Sequence, residues 1–266
     1  EITEPILAPI HSILPIFGMF DLSPLVAMLL LQLLQGLIRS GFLSLASGAR
    51  RRIGFRHARE CAWLFYSERV RVDPAARHAV DQNLALAAAL GLDASIVEFP
   101  LALRPDEQER AAALLRSASV AVDSGRTSFI AVIPGARWVT KQWRPERIAA
   151  LLDRLHTSTP HSCVLLGAPS DRGFSSRIVA VMKSPVVDLV GQTTLRELSA
   201  VLSRAALVIT HDSGPMHIAA ALRKPVVALF GPTDPRRCGP YATDHRIVAT
   251  HLFASFLHGA AGRGDG

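Results

Sequence analysis

Short apolar runs alternate with amphipathic stretches through the second half of the chain. The apolar runs are rich in Val, Ile and Leu and are bounded by Gly, Pro or Asp, whereas the stretches between them carry apolar residues at helical spacing. We expect strands at 129–136, 163–168, 186–191, 207–212, 226–231 and 245–250, and helices at 144–156, 171–182, 194–205 and 214–223. This alternation predicts an α/β fold with a doubly wound parallel sheet, which binds ligands at the carboxyl ends of its strands.

The first half of the chain has a less regular pattern. Residues 51–55 and 95–103 have the composition of strands. Residues 78–92 form an amphipathic helical pattern closed by a glycine, and residues 105–118 open with Pro and acidic side chains, as helices do. We expect residues 117–128, which are rich in Ser and other small residues, to be a linker.

An uncharged segment, Leu22 to Ile38, precedes these elements. As a helix its 17 residues would be about 25 Å long, close to the roughly 30 Å of a bilayer's hydrocarbon core. Arginines follow at once, so an inserted helix would have its carboxyl end in the cytoplasm. Glu1 and Glu4 lie where a signal peptide would carry positive charge, which argues against a signal peptide. The segment is either a membrane helix or a buried amphipathic one.

The chain has an excess of basic over acidic residues. The 266 residues carry a net charge of +7, and eight arginines lie between residues 39 and 71. Such a surface favours anionic partners. It lacks regularly interleaved aromatic residues, so we expect either a solvated surface or one that faces phosphate-rich lipid, and no nucleic acid. Three scattered cysteines, at 61, 163 and 238, indicate a reducing compartment without disulfides or a zinc site.

An Asp-Ser-Gly-Pro turn follows the predicted strand at 207–212. Asp212 ends the strand, and Ser213, Gly214 and Pro215 open a helix. The amide groups and positive end of a helix suit a diphosphate, and glycine allows a close approach of the ligand. The alternative is an ordinary helix cap without a ligand.

The loop after the first strand of this sheet, Pro134 to Trp143, carries Arg137 and Lys141, which can meet phosphate oxygens. We expect Trp138 and Trp143 to hold this loop down. The alternative is a solvated basic loop.

Two more polar residues follow strands of the sheet. Asp171 either accepts hydrogen bonds from ribose hydroxyls or caps its own helix, and His217 either reaches the ligand or packs on the sheet. A metal role is not expected, since His217 has no second histidine at metal-binding spacing. The sequence contains neither a GxGxxG fingerprint nor a GxxxxGK[ST] loop.

These motifs, taken in order, resemble glycosyltransferase family 9, the bacterial heptosyltransferases. The resemblance rests on "PGARWVTKQWRPERIAALLDRL", "LLGAPSD", "DLVGQTTLRELSAVLSRAALVITHDSGPMHIAAAL" and "PVVALFGPTDP". It covers about residues 40–250 and implies a GT-B architecture of two Rossmann-like domains. We expect the C-terminal domain to be complete and the N-terminal one incomplete, behind an apolar N-terminal helix.

The resemblance also implies a reaction. A hydroxyl of the lipid A–Kdo acceptor would attack ADP-heptose, or a related nucleotide-sugar, and invert its anomeric carbon without a metal or cofactor. Lys141 would stabilise the departing diphosphate, with Asp171 on the ribose and Gln192 and Thr193 near the base. The full predicted donor-binding set is Gly135, Ala136, Arg137, Lys141, Asp171, Gln192, Thr193, Asp212, Ser213, Gly214 and His217.

The N-terminus departs from that family. The family's opening strand and loop, with the aspartate expected as general base, are absent, and residues 1–38 resemble the YggT family of membrane proteins. Asp21 lies in that segment and is expected to cap a helix rather than replace the base. The predicted organisation is 1–38 apolar, 39–125 partial acceptor-side domain, 126–250 donor domain and 251–266 tail.

A chain so truncated is expected to bind the donor but to transfer heptose weakly or not at all. It would lie on the cytoplasmic face of the inner membrane, anchored through residues 22–38. The alternatives are a non-catalytic, membrane-tethered remnant that binds nucleotide-sugars, and another GT-B nucleotide-sugar enzyme.

Overall fold

The computed structural model describes residues 41, 43–95, 97–120 and 129–249. The predicted apolar helix at 22–38, most of the predicted linker and the tail at 251–266 lie outside these residues. Within the described ranges, no helix combines the length and apolarity that a bilayer crossing requires.

The chain divides into two units, residues 1–96 and 97–266. The described part of the first unit contains a small parallel sheet, in which Ile53 lies opposite Glu68. Its elements are helix α1 (Leu43–Ala46), strand β1 (Ile53–Phe55), a 3-10 helix (Arg59–Phe65), strand β2 (Glu68–Val70) and helix α2 (Ala79–Ala89). The predicted strand at 51–55 and helix at 78–92 are confirmed, and Gly91 follows the helix with the positive φ of +80° that glycine tolerates best.

The second unit is built on six strands. Its helices are α3 (Pro105–Ser117), α4 (Pro145–Ser158), α5 (Arg172–Val181), α6 (Leu195–Ser203), α7 (Gly214–Ala221) and α8 (Pro235–Cys238). Its strands are β3 (Phe129–Ile133), β4 (Ser162–Leu165), β5 (Val187–Asp188), β6 (Leu207–His211), β7 (Val226–Phe230) and β8 (His245–Ala249). The predicted strands and helices of this half are therefore confirmed, with shorter bounds at most ends.

All neighbouring strands of this sheet are parallel, in the order β5-β4-β3-β6-β7-β8. The chain runs outward from β3 to β5, returns to place β6 beside β3, and then runs outward again to β8. The direction reverses between β3 and β6, so their carboxyl ends form the topological switch point where ligands bind in open α/β sheets.

Side chains alternate between the two covered faces of the sheet. In β3, Phe129, Ala131 and Ile133 join the apolar cluster formed with α3, α6 and α7, whereas Ile130 and Val132 join the cluster formed with α4 and α5. All five are buried. A strand buried on both faces must be apolar throughout, which explains the unbroken apolar run in the sequence.

Helix α3 packs on α6 within the second unit. Arg110 lies 2.9 Å from Glu197 on α6, and the buried Glu107 pairs with Arg104 and with Arg196 of α6. The sequence predicts that this helix belongs to the partial acceptor-side domain at 39–125. The division of the chain after residue 96 lies ahead of the predicted boundary after residue 125, and that domain boundary stays a prediction.

The predicted strand at 95–103 is wrong for its described residues, 97–103, which contain no strand. Pro100 lacks the amide hydrogen that a strand ladder needs. The Phe99 ring instead meets the edge of Tyr241, with ring centroids 6.0 Å apart.

Candidate ligand-binding cleft

A cleft of about 1200 Å³ opens at the carboxyl edge of the second unit's sheet, at the switch point. It is lined by the loops that follow β3 and β4 and by the first turns of α6 and α7. Ten of the eleven residues predicted to bind the donor lie in its wall: Gly135, Ala136, Arg137, Lys141, Asp171, Thr193, Asp212, Ser213, Gly214 and His217. The fold therefore brings the predicted set together, while the role of each residue stays a prediction.

The carboxylate of Asp171 lies between two glycines of the cleft. A Cβ on Gly135 would stand 2.5 Å from the Asp171 carboxyl carbon, and a Cβ on Gly167 would stand 3.0 Å from Oδ2. The same Oδ2 accepts a hydrogen bond of 2.9 Å from the amide of Ala168. Asp171 makes no side-chain hydrogen bond to the first turn of α5, so it closes the preceding turn and does not cap the helix.

Lys141 and Asp212 form an ion pair across the switch point, with 2.5 Å between Nζ and Oδ2. The Lys141 side chain is 20% exposed and that of Asp212 is 8% exposed, so the pair is largely withdrawn from water. Thr233 in the loop after β7 donates a hydrogen bond of 2.7 Å to the same carboxylate oxygen. An anion that enters the cleft must compete with Asp212 for the lysine.

The first turn of α7 presents an uncapped end to the cleft. Ser213 is its N-cap residue, but its side chain makes no hydrogen bond to the turn and pairs instead with the hydroxyl of Thr210 at 3.2 Å. Pro215 in the first turn has no amide hydrogen to satisfy. The positive end of the helix therefore lies beside Lys141, where both favour a negative charge.

His211, the last residue of β6, is completely buried beneath this edge. Its Nε2 accepts a hydrogen bond of 2.9 Å from the backbone amide of Trp143. Burial lowers the pKa of His211 to about 4, against the opposing effect of the Ile133 and Pro134 carbonyls, so the ring is neutral at physiological pH.

Two residues at this edge differ from the rest of the predicted set. Gln192 is not among the residues that line the cleft, and its side-chain amide donates to the carbonyl of Asp188 at 3.0 Å, so its place near the base stays a prediction. Trp138 does not hold the loop down, because it is 60% exposed. Only Trp143 packs against the core, in the cluster on the α4 side.

The sequence reasoning missed several cleft residues. Thr194, Leu195 and Leu198 line the wall from the start of α6. Thr194 and Glu197 form a capping box there. Their Thr-x-x-Glu spacing in the sequence indicates that α6 starts at this edge of the sheet. Thr233 had no such signal, because its only polar contact with the cleft is to Asp212, 21 residues earlier in the chain.

The strand order and the position of the cleft define the second unit as a Rossmann-like α/β domain. The chain belongs to glycosyltransferase family 9 (heptosyltransferase), whose family model matches residues 29–256. The CCB3/YggT family model matches residues 1–42, which confirms the resemblance of that segment.

Three similar proteins illustrate the match. The lipopolysaccharide core heptosyltransferase OpsX of Haemophilus influenzae is 28% identical over 82% of this chain and 61% of its own length. A family 9 glycosyltransferase structure from Veillonella parvula covers 85% of this chain and 64% of its own, at 25% identity and a TM-score of 0.66. The E. coli ADP-heptose lipopolysaccharide heptosyltransferase II structure covers 79% and 65%, at 25% identity and a TM-score of 0.60. The chain spans less than two thirds of each relative's length.

Proposed function

We propose that this chain binds ADP-heptose in the cleft and acts in the transfer of heptose to the inner core of lipopolysaccharide. Family membership supports this, together with the heptosyltransferase activities of the Haemophilus and E. coli relatives. In the reaction, a hydroxyl oxygen of a lipid A–Kdo acceptor attacks the anomeric carbon of the heptose and inverts it. The bond from that carbon to the phosphate oxygen breaks, and ADP departs.

The observation that carries the proposal is the ion pair of Lys141 with Asp212, the residue just before the N-cap of α7, at the switch point. In our assignment the diphosphate lies between Nζ of Lys141 and the backbone of Gly214. A lysine and a helix end held in place before the reaction stabilise the charge that develops on ADP, so the leaving group needs no metal.

The rest of the donor follows the cleft wall away from α7. The Asp171 carboxylate takes the ribose hydroxyls, and Thr193 lies by the base. The backbone at Ala136 and Arg137 meets the phosphates, and His217 lies at the sugar. This arrangement is consistent with the positions of all five residues in one wall.

Asp212 contributes to the donor site through Lys141 and through sugar hydroxyls, because a carboxylate repels a phosphate. Both cleft carboxylates already accept hydrogen bonds that hold the cleft's own loops, from Ala168 in one case and from Lys141 and Thr233 in the other. We therefore assign this cleft to donor binding and leaving-group stabilisation, and not to deprotonation of the acceptor.

A membrane surface is the proposed location of the acceptor. The exposed arginines of the first unit, among them Arg50, Arg56, Arg69 and Arg71, suit an anionic lipid surface. Flotation with vesicles tests this part. Stronger binding to anionic than to neutral vesicles, with the difference removed by salt, is the expected result, whereas equal binding to both kinds contradicts an electrostatic contact.

Calorimetric titration of the full chain with ADP and ADP-heptose tests donor binding. Lys141→Ala is expected to weaken ADP binding about tenfold or more, because it removes a charge-assisted hydrogen bond to phosphate. Lys183→Ala is the matched control, since Lys183 is exposed and lies outside the cleft wall. If neither ligand binds, or if both variants bind ADP equally well, the donor assignment is wrong. Mass spectrometry of a lipid A–Kdo acceptor incubated with the chain and ADP-heptose tests transfer itself. Weak or no transfer by this chain is the prediction from its sequence, and transfer at the rate of a full-length heptosyltransferase would contradict it.

A further inference from the structure

Two consecutive residues at the end of β6 contact the carboxyl end of one short turn, the 3-10 helix Val139–Lys141. Asp212 pairs with the side chain of Lys141, the last residue of this turn. His211 accepts a hydrogen bond from the amide of Trp143, two residues further along the chain. The residue that precedes Asp212 is thus tied to the loop that carries the proposed phosphate-binding lysine.

Burial of its own side chains does little to fix this turn. Trp138 is 60% exposed and Val139 is 81% exposed. Two further contacts exist: Gln142 donates to the carbonyl of Ala136 at 2.7 Å, and a Cβ on Gly231 would stand 2.9 Å from the carbonyl oxygen of Thr140. Neither of these two contacts reaches β6. The Lys141–Asp212 ion pair and the His211 hydrogen bond do join the loop to the end of β6, and the His211 hydrogen bond is the one that remains when a ligand takes the lysine.

The His211 ring is suited to this task by its protonation state. Because Nε2 accepts a hydrogen bond, the single proton of the neutral ring lies on Nδ1. Nδ1 is buried and makes no hydrogen bond of good geometry with the described residues, although the Ile133 and Pro134 carbonyls lie close enough to oppose the fall in the pKa of the ring. A buried polar atom without a well-formed hydrogen bond is costly, so packing alone gives no reason for a histidine at this position.

We propose that His211 is a positioning residue for the donor site: its Nε2 anchors the amide of Trp143 and so fixes the turn that presents Lys141 to the ligand. This inference rests on the proposed function for the identity of the ligand. The anchor itself is a property of the unliganded chain.

Two substitutions separate anchoring from packing. His211→Gln places a side-chain carbonyl oxygen near the position of Nε2 and keeps an acceptor, whereas His211→Leu fills space without one. We expect His211→Leu to weaken ADP binding about tenfold and to speed hydrogen exchange at the Trp143 amide, with the chain still folded. We expect His211→Gln to bind ADP within about threefold of the wild type and to keep the amide protected.

Several results would overturn the proposal. One is equal loss of ADP affinity in both variants, and another is unchanged Trp143 exchange in His211→Leu. If the wild type binds no ADP, the proposed function fails, and the exchange of Trp143 alone decides whether His211 holds the loop. If His211→Leu does not fold, the nitrogen chemical shifts of the His211 ring in the wild type, measured by NMR, show which ring nitrogen carries the proton. A proton on Nδ1 supports the anchor, and a proton on Nε2 refutes it.

Discussion

Replacing Asp212 by Asn is expected to tighten ADP binding, although Asp212 lies in the wall of the cleft. In the unliganded cleft its carboxylate holds Lys141 at 2.5 Å. A diphosphate that takes the lysine must displace this carboxylate and then lie beside it. Asn removes the competing charge, while its side-chain oxygen still accepts the hydrogen bond from Thr233.

The magnitude follows from the burial of the pair. At an effective dielectric constant near 20, a carboxylate about 6 Å from one phosphate charge costs roughly 3 kcal/mol. Against this, the lysine loses a charge-assisted hydrogen bond that fixes its position, which contributes about 1.5 kcal/mol. The side chains are only 20% and 8% exposed, so solvent and salt screen the effect incompletely. A net gain of about 1 to 2 kcal/mol corresponds to roughly tenfold tighter binding of ADP.

Calorimetry on the wild type, Asp212→Asn and Asp106→Asn provides the assay. Asp106→Asn makes the same change in net charge at an exposed site outside the cleft wall and should bind ADP like the wild type. With ADP-heptose, Asp212→Asn should gain less than with ADP, because the sugar hydroxyls lose a carboxylate acceptor. Weaker binding of ADP itself by Asp212→Asn would refute the competition between Asp212 and the ligand for Lys141.

Three further predictions concern the scaffold. Gly135→Ala should destabilise the fold by about 1 to 3 kcal/mol and weaken ADP binding, because the new Cβ would stand 2.5 Å from the Asp171 carboxyl carbon. The buried His211, whose pKa is lowered to about 4, stays neutral while the unfolded chain takes up a proton below pH 6.5. Its contribution to stability should therefore fall by about 3 kcal/mol as the pH drops from 6.5 to 4, and His211→Gln should lack this loss in urea titrations. Leu152→Ala, at a side chain 1% exposed on α4, should cost about 2 to 5 kcal/mol in the same assay.

Each of these three predictions has an outcome that would contradict it, and the glycine substitution also has a matched control. Gly173→Ala, in a helix with nothing within 4 Å of the new Cβ, should not destabilise the fold. Equal effects of the two glycine substitutions would remove the steric argument at Gly135. An acid-induced loss of the same size in His211→Gln would assign that loss to other groups. A cost below about 1 kcal/mol for Leu152→Ala would contradict tight packing under α4.

The regular half of the fold could be predicted from the sequence because interior strands such as β3 and β7 are apolar on both faces and several helices begin with a recognisable residue pattern. Pro145 and Pro215 each mark a first turn, and Thr194 with Glu197 marks another. The prediction of a strand at 95–103 is wrong for the described residues, because the apolar composition suits a strand while Pro100 interrupts the hydrogen bonds of a strand ladder.

The sequence allowed us to predict which loops line the cleft, but not which side chains in it bind one another. Parallel strands bring their carboxyl ends to one edge, so the gathering of the predicted residues followed from strand assignment alone. The Lys141–Asp212 pair joins positions 71 residues apart, and no local pattern indicates which acid takes the lysine. The direction of Gln192 toward Asp188 is likewise a choice of rotamer that composition does not determine.

A crystal structure of the chain with ADP bound tests the central claim most directly. The account predicts the diphosphate at the switch point between β3 and β6, with phosphate oxygens within hydrogen-bond distance of Nζ of Lys141 and of the backbone at Gly214. Lys141 should have left Asp212 to make that contact. ADP bound elsewhere, or in the cleft with the Lys141–Asp212 pair intact and the start of α7 empty, would contradict it.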